Sequence, residues 1–142
     1  MKPVKSLISA VLGASILLSS VVMAKNYVVR AEVTSFKPMV IKIAPGDTVS
    51  WENMAGHITS SIKKYLPKGA KGWTSTLGED FTTQPLTVPG AYFYKCIPHW
   101  GLGMGGVIIV GDPTNLDDVK AMKPRGAAKR LYKKAVKAMK KK

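Results

Sequence analysis

Cysteine and histidine are scarce in this chain of 142 residues, which contains one Cys and two His. A single Cys cannot form an internal disulfide, so a disulfide-stapled fold is excluded. Acidic residues are also few, with eight Asp or Glu against 22 Lys or Arg, and no pair of residues suited to general acid–base catalysis is visible. Beyond residue 24, no run approaches the roughly 20 apolar residues needed to cross a bilayer. These absences direct attention to the few side chains that can bind a metal.

The N-terminus has the pattern of an export signal. Lys2 and Lys5 precede an apolar, uncharged run over residues 7–22, and small residues follow at the positions that a signal peptidase reads. We therefore predict a signal peptide over residues 1–24 that is cleaved after Ala24. A retained membrane anchor is the alternative interpretation. The predicted location of the mature protein is a bacterial periplasm.

The remaining 118 residues are enough for one domain. We divide them into a β-sandwich over residues 25–112 and a basic helical extension over residues 113–142 that packs on the same domain. The net charge of +14 belongs mainly to the extension, because residues 120–142 hold 11 basic residues and no acid. Export argues against nucleic acid as a partner. The basic tail therefore predicts docking to acidic proteins or anionic envelope surfaces, or only a solvated charged face.

Short segments typical of β-strands dominate the chain up to residue 112. Apolar and polar residues alternate in several of them, and turns rich in Gly, Pro and Asp separate them, which predicts a sandwich or barrel. Residues 63–80 show no clear period, and we expect a loop with one helical turn there. The candidate strands cover residues 27–33, 41–43, 48–51, 82–88, 91–96 and 106–110.

Two helices are predicted after residue 112, where the period of the apolar residues changes. Thr114 is a candidate N-cap for a short helix that ends before Pro124. A second helix is expected to pack an apolar stripe on the body. This stripe consists of Ala128, Leu131, Tyr132, Ala135 and Met139.

Potential metal ligands are concentrated in one short run. Cys96, His99 and Met104 place a thiolate, an imidazole and a thioether within nine residues, and His57 is the only other histidine. Two His and one Cys with a long axial Met form the ligand set of blue-copper electron-transfer sites. We therefore predict that these four residues bind one copper ion that cycles between Cu(I) and Cu(II). The predicted function is electron transport.

Three alternatives use the same residues. A zinc site would employ the two His and Cys96, but zinc gains little from a thioether. A Cys nucleophile with a His base would lack an orienting group and an oxyanion hole. A copper chaperone or storage protein would exchange its metal, yet the Met-rich and His-rich tracts expected for exchange are missing. Electron transport is the preferred interpretation.

The chain resembles the cupredoxins, and among them the pseudoazurins, over essentially all of residues 26–139. The residues that carry this resemblance are Phe36-Lys37-Pro38, Ala44-Pro45-Gly46-Asp47-Thr48-Val49, Gly56-His57, Pro89-Gly90, Cys96-Ile97-Pro98-His99 with Met104, and Val110-Gly111-Asp112.

The resemblance implies an all-β fold, an eight-stranded Greek-key β-sandwich followed by two C-terminal α-helices. It also implies one mononuclear blue (type 1) copper and no enzymatic activity of its own. The expected role is to shuttle single electrons between periplasmic redox enzymes, such as a nitrite reductase or a dehydrogenase. We expect a monomer whose partners have acidic docking surfaces.

Two positions depart from the family pattern together. Cupredoxins usually have Asn after the first ligand His, and pseudoazurins have Thr after the ligand Cys, whereas this chain has Ile58 and Ile97. Because both polar partners are absent, neither leaves a buried polar group without a bond. We hypothesise that an apolar contact between Ile58 and Ile97 replaces the polar link and alters the reduction potential.

In cupredoxins, the imidazole edge of the second ligand His reaches the surface within an apolar patch. We expect His99 to take this role, with Pro98 and Leu102 in the patch and Met54 or Trp100 as further candidates. Basic residues are expected to steer an acidic partner toward the patch. The candidates are Lys37, Lys63, Lys64, Lys95 and the C-terminal lysines.

Overall fold

Eight β-strands and two α-helices make up the fold, as seen in a computed structural model that describes residues 23–140. The strands are β1 (Asn26–Ala31), β2 (Phe36–Lys37), β3 (Val40–Ile43), β4 (Thr48–Glu52), β5 (Thr59–Ser61), β6 (Phe81–Thr82), β7 (Gly90–Cys96) and β8 (Gly105–Val110). The helices are α1 (Leu116–Ala121) and α2 (Gly126–Lys140).

The strands form two four-stranded sheets. One sheet has the order β2-β1-β4-β6 and the other β3-β8-β7-β5. The pairs β1/β4 and β3/β8 are parallel, and the remaining neighbours are antiparallel. The predicted cupredoxin-type Greek-key sandwich with two C-terminal helices is confirmed.

The predicted signal peptide lies outside the described residues except for Met23 and Ala24, so its cleavage stays a prediction. Within residues 23–140, no helix has both the length and the apolar composition that a membrane crossing requires.

Side chains of β7 and β8 face two separate cores because successive residues of a strand point to opposite sides of its sheet. The inter-sheet core consists of Val29, Ala31, Phe36, Ile43, Val49, Trp51, Met54, Leu86, Tyr92, Tyr94, Cys96, Met104, Ile108 and Val110. The outer core, beneath the helices, consists of Tyr65, Ala91, Phe93, Val107, Ile109, Val119, Ala128, Leu131 and Ala135. Cys96 therefore lies on the inward face of β7, in line with Tyr92 and Tyr94.

Helix α2 covers the outer core with the predicted apolar stripe. Ala128, Leu131 and Ala135 are buried, and Tyr132 and Met139 pack partly buried against the same core. Full burial of a leucine side chain such as Leu131 stabilises the fold by about 1.5–3 kcal/mol. Every residue of β8 is buried as a result, since α2 covers one face of its sheet and the first sheet covers the other.

The predicted N-cap at Thr114 is wrong, because the residue that precedes α1 is Asn115. The Asn115 side chain makes no capping bond. Its oxygen accepts a hydrogen bond from the Ala91 backbone at 2.7 Å, and its amide donates to the carbonyls of Ala91 (2.9 Å) and Tyr65 (3.0 Å). This buried side chain ties the start of α1 to β7 and to the 3₁₀ turn that ends at Tyr65, which is the helical turn expected within residues 63–80.

Two predicted strands are shorter in the structure, and two strands, β2 and β5, were not predicted. Strand β1 ends at Ala31, and Val33 is 85% exposed in the loop that follows. The predicted strand over residues 82–88 is limited to Phe81–Thr82. The Thr83 N–H still donates to the carbonyl of Val49, but the N–H of Val49 donates to the Thr83 hydroxyl instead of a strand carbonyl, and Pro85 has no N–H to donate. Strand β5 was not predicted because its sequence, Thr-Ser-Ser, has no apolar alternation.

Candidate metal centre

The loop between β7 and β8 carries three of the predicted ligands. It begins at Cys96, whose N–H donates to the carbonyl of Met104 at 2.9 Å and so closes the loop at its base. Trp100–Leu102 form a 3₁₀ turn, after which Gly103 takes a left-handed conformation with φ of 82°. The carbonyl of His99 accepts hydrogen bonds from Leu102 (3.1 Å) and Met104 (3.2 Å). We call residues 96–104 the ligand loop.

The fourth predicted ligand, His57, comes from a turn between β4 and β5. Its N–H donates to the carbonyl of Met54 at 2.8 Å, and its carbonyl accepts from Gly78 at 3.0 Å. Met54 in turn donates its N–H to a carboxylate oxygen of Asp80 at 3.1 Å. We call residues 53–59 the first ligand segment. Contacts to residues 74–80 therefore set the position of this segment.

The two segments bring three ligand atoms together. The Sγ of Cys96 lies 3.6 Å from Nδ1 of His57 and 3.5 Å from Nδ1 of His99, and the two nitrogens are 3.2 Å apart. These residues form the one cluster of His, Cys, Asp or Glu in the described part of the chain that could hold a metal ion. The predicted convergence of a thiolate and two imidazoles is thus present.

The dimensions of this triangle fit a first-row metal ion. The three distances place the point equidistant from these atoms about 2.0 Å from each of them. Zinc–nitrogen bonds of about 2.0–2.1 Å and zinc–thiolate bonds of about 2.3 Å have similar lengths. Two imidazoles and one thiolate in a plane form the trigonal set of blue-copper sites. The residues present therefore fit copper.

Met104 lies at the other end of the ligand loop. It is 1% exposed and belongs to the inter-sheet core together with Cys96 and Met54. Its N–H bonds to the carbonyl of His99 and its carbonyl to the N–H of Cys96. Backbone bonds thus connect Met104 directly to two other predicted ligands.

A family model described as "Copper binding proteins, plastocyanin/azurin family" matches residues 23–111. The chain belongs to this family. It is 38% identical over 99 residues to a pseudoazurin of Paracoccus pantotrophus, with 68% of each chain covered. It is 40% identical over 99 residues to a putative pseudoazurin of Rhizobium leguminosarum bv. viciae, covering 68% of this chain and 64% of that one.

Among solved structures, a pseudoazurin of a Sinorhizobium species superposes with a TM-score of 0.69 and 37% identity, covering 76% of this chain and 94% of that one. These comparisons confirm the predicted resemblance to pseudoazurins and the predicted copper cofactor. They also confirm the predicted class, which is an electron-carrying cupredoxin and not an enzyme. The assignment of the four individual ligands stays a prediction.

The two histidines of this cupredoxin differ in their surroundings. His57 is 7% exposed, and the ring of Phe36 lies 6.4 Å from its own ring, centroid to centroid. Burial, and next the proximity of His99, lowers the pKa of His57. At neutral pH its imidazole is therefore uncharged, with a nitrogen lone pair available for a metal. His99 is partly exposed and is thus the more accessible of the two residues.

Exposed apolar residues precede and follow the partly exposed His99 along the ligand loop. Ile97 is 45% exposed and Leu102 is 66% exposed, and Pro98 between them is also exposed. Leu77 is exposed next to Gly78, the residue that bonds the carbonyl of His57. We call Leu77, Ile97, Pro98 and Leu102 the apolar rim; of these, Leu77 and Ile97 were missing from the patch predicted from sequence.

The two further candidates for this patch differ in their exposure. Met54 is buried in the inter-sheet core, so its inclusion in the surface patch is wrong. Trp100 is half-buried and packs against the outer core. Sequence alone could not separate these cases, because exposure of a loop residue depends on what packs over it.

The positions of Ile58 and Ile97 retain a link between the two ligand segments. The N–H of Ile97 donates to the carbonyl of Ile58 at 3.2 Å. A backbone bond therefore joins the segments at the place where polar side chains were expected in the family. The hypothesis of an apolar side-chain contact stays a prediction.

Basic residues line a groove of about 690 Å³ beside the ligand loop. We call it the basic groove; its lining includes Lys64, Lys95, Trp100, Lys123 and Arg125. No acidic residue lines it, whereas Lys37, another predicted steering residue, pairs with Glu32 at 2.8 Å. The groove therefore concentrates uncompensated positive charge at one side of the apolar rim. Of its four basic residues, Lys64 and Lys95 were predicted by name and Lys123 as one of the C-terminal lysines, whereas Arg125 was not predicted.

Proposed function

We propose that this chain is an exported carrier of single electrons that holds one copper ion between His57, Cys96, His99 and Met104. The observation that carries the proposal is the convergence of Sγ of Cys96 and two Nδ1 atoms within 3.6 Å of one another. When bound, copper supplies the one-electron couple between Cu(I) and Cu(II).

The protein's own contribution is to hold the ligands still. Four backbone bonds within the ligand loop and the buried position of Cys96 and Met104 keep the same ligand geometry before and after electron transfer. His99 offers the imidazole edge at which an electron enters or leaves. The apolar rim around it excludes water from a small contact with the partner, and a small contact also favours rapid dissociation.

We further propose that residues 1–24 are removed on export to the periplasm. The mature chain then consists of the sandwich over residues 25–112 and the basic extension over residues 113–142 packed on it. The charged start, the apolar run and the small residues before position 25 support this division. Mass spectrometry of the exported protein should give Lys25 as the first residue, and a retained N-terminus would contradict the division.

The partner we propose is a redox protein with an acidic docking surface, such as a nitrite reductase or a dehydrogenase. The basic groove lies beside the apolar rim, so it would attract carboxylates toward the face that presents His99. Lys95 and Arg125 of this groove have no ion-pair partner among residues 23–140. Their charge is therefore available to a partner.

Absorption spectroscopy of the mature chain tests the copper assignment. With Cu(II) the wild type should turn intensely blue and bleach reversibly with ascorbate, and Cys96→Ser should remain colourless. Met104→Leu should shift the reduction potential, whereas the control Met122→Leu, at an exposed position outside both ligand segments, should not. A colourless wild type would overturn the proposal. Release of copper to a chelator without redox cycling would favour a chaperone.

Kinetics with a redox partner test the docking surface. Lys95→Gln should lower the bimolecular electron-transfer rate a few-fold at low ionic strength and reduce its salt dependence. Lys37→Gln is the matched control and should have a smaller effect, because Glu32 already compensates the charge of Lys37. Rates that do not change with ionic strength would remove electrostatic docking from the proposal.

A further inference from the structure

Arg130, on the second turn of α2, contacts the ligand loop. One Nη of its guanidinium donates a hydrogen bond to the carbonyl of Gly103. Gly103 directly precedes Met104, so the bond reaches the peptide unit next to a predicted ligand. The basic extension thus touches the proposed metal centre at a defined atom.

Both polar groups of the peptide between Gly103 and Met104 are engaged. The N–H of Met104 donates to the carbonyl of His99 at 3.2 Å, and the carbonyl of Gly103 accepts from Arg130. A peptide unit that is planar and bonded at both ends has a fixed orientation. Two hydrogen bonds, one of them from Arg130, therefore restrain the peptide unit to which the Cα of Met104 is attached.

The absence of a side chain at Gly103 makes room for the guanidinium. A Cβ at Gly103 would lie 2.9 Å from Nη2 of Arg130, closer than such atoms approach in proteins. Leu131, the next residue of α2, approaches Gly105 in a similar way. A Cβ at Gly105 would lie 3.1 Å from Cδ1 of Leu131. Adjacent residues of α2 thus pack on the two glycines that flank Met104.

Helix α2 is a firm support for this contact. Leu131 is completely buried beside Arg130, and Ala128 and Ala135 anchor the turns before and after it. Arginine suits the role because its charge is permanent and its planar group holds hydrogen bonds in a defined direction. Arg130 belongs to no ion pair among the described residues, so no carboxylate offsets its charge.

We infer that Arg130 is a positioning residue of the metal centre, which orients Met104 through Gly103 and favours the reduced state through its charge. The inference rests on the proposed copper site. Reduction lowers the positive charge of the site by one, and a nearby fixed cation repels the reduced site less than the oxidised one. Removing the cation should therefore lower the reduction potential.

Three variants of the mature chain test this role: Arg130→Met, Arg130→Lys and the control Lys134→Met. Lys134 lies one turn further along α2, is exposed and forms no ion pair within residues 23–140. Arg130→Met should lower the reduction potential more than Lys134→Met, and Arg130→Lys should restore most of the loss by returning the charge. Equal potentials in Arg130→Met and Lys134→Met would overturn the electrostatic role.

Amide hydrogen exchange tests the orienting role with and without copper. In Arg130→Met the amide of Met104 should exchange at least about fivefold faster than in Lys134→Met, the factor that corresponds to one lost hydrogen bond. Arg130→Lys should also exchange faster, because an ammonium group lacks the planar fork. Unchanged exchange in Arg130→Met would overturn the orienting role, whereas a colourless wild type would overturn the proposed function itself.

Discussion

The first ligand segment and the ligand loop reach the same point but are held there in different ways. The ligand loop is closed by bonds among its own residues, from Cys96 to Met104 and from Met104 to His99. The first ligand segment depends on residues far along the chain, since His57 bonds to Gly78 and Met54 to Asp80. One segment has a largely local geometry, and the other takes its geometry from the tertiary structure.

This difference matters because a carrier needs the same ligand positions in both oxidation states. A short loop between two paired strands has few conformations available, so its three predicted ligands are expected to move together. His57 can keep its place only while the segment over residues 74–80 stays folded beside it. Loosening of the site is therefore expected to begin at His57, although this is the more deeply buried of the two histidines.

The largest effect is expected from removing each imidazole in turn. His57→Gly and His99→Gly should both abolish the blue colour of the copper-loaded protein. Added imidazole should restore it in His99→Gly, because that site is partly open to solvent, but not in His57→Gly, where the cavity is closed. Absorption during an imidazole titration measures the difference. Equal recovery in both variants would show that the two histidines are equally accessible.

A backbone change in the ligand loop should have the next largest effect. Gly103→Ala places a side chain at φ of 82° and against Arg130, which should cost about 1–2 kcal/mol of unfolding free energy. Gly101→Ala is the matched control in the same loop, since nothing lies within 4 Å of its Cβ position. Denaturant unfolding of the metal-free chains compares them. Equal stabilities would contradict the view that this loop has one tightly fixed conformation.

Loosening the first ligand segment should have a smaller effect on stability but a clear effect on the metal. Asp80→Ala removes the acceptor for the N–H of Met54 and should cost about 1 kcal/mol, because the carboxylate is exposed. Copper should also leave to a chelator faster than in the wild type. Glu79→Ala, an exposed neighbour whose side chain makes no bond within residues 23–140, should behave like the wild type. Unchanged copper release in Asp80→Ala would contradict the proposed dependence on residues 74–80.

The smallest effect on stability is expected where the two segments meet. The double variant Ile58→Asn with Ile97→Thr should change the unfolding free energy by less than about 0.5 kcal/mol, since Ile97 is on the surface and the backbone bond from Ile97 to Ile58 remains. The reduction potential should nevertheless shift, because polar groups beside a ligand thiolate alter the metal's electronic environment. Voltammetry measures the shift, and an identical potential would exclude a role for these positions.

Local sequence was sufficient where a structural feature depends on neighbours in the chain. The alternation of buried and more exposed residues in β1 and β4 follows from the period of their apolar residues, and so does the apolar stripe of α2. The structure confirms these predictions. The prediction failed where polar contacts decide the structure. Strand β5 is held by pairing with β7 despite its Thr-Ser-Ser sequence, and Asn115 replaces Thr114 at the start of α1 because its side chain bonds β7.

The sequence by itself predicted the donor set, since one Cys, two His and a Met at this spacing leave few other metals or ligands to consider. It also determined that Cys96, His99 and Met104 lie close together, because eight peptide units join them. Only the tertiary structure decided that His57 approaches within 3.2 Å of His99, that Met54 is buried while Ile97 is exposed, and that Arg130 reaches Gly103. The two contacts join residues 42 and 27 positions apart, and the packing of sheets and helix sets such distances.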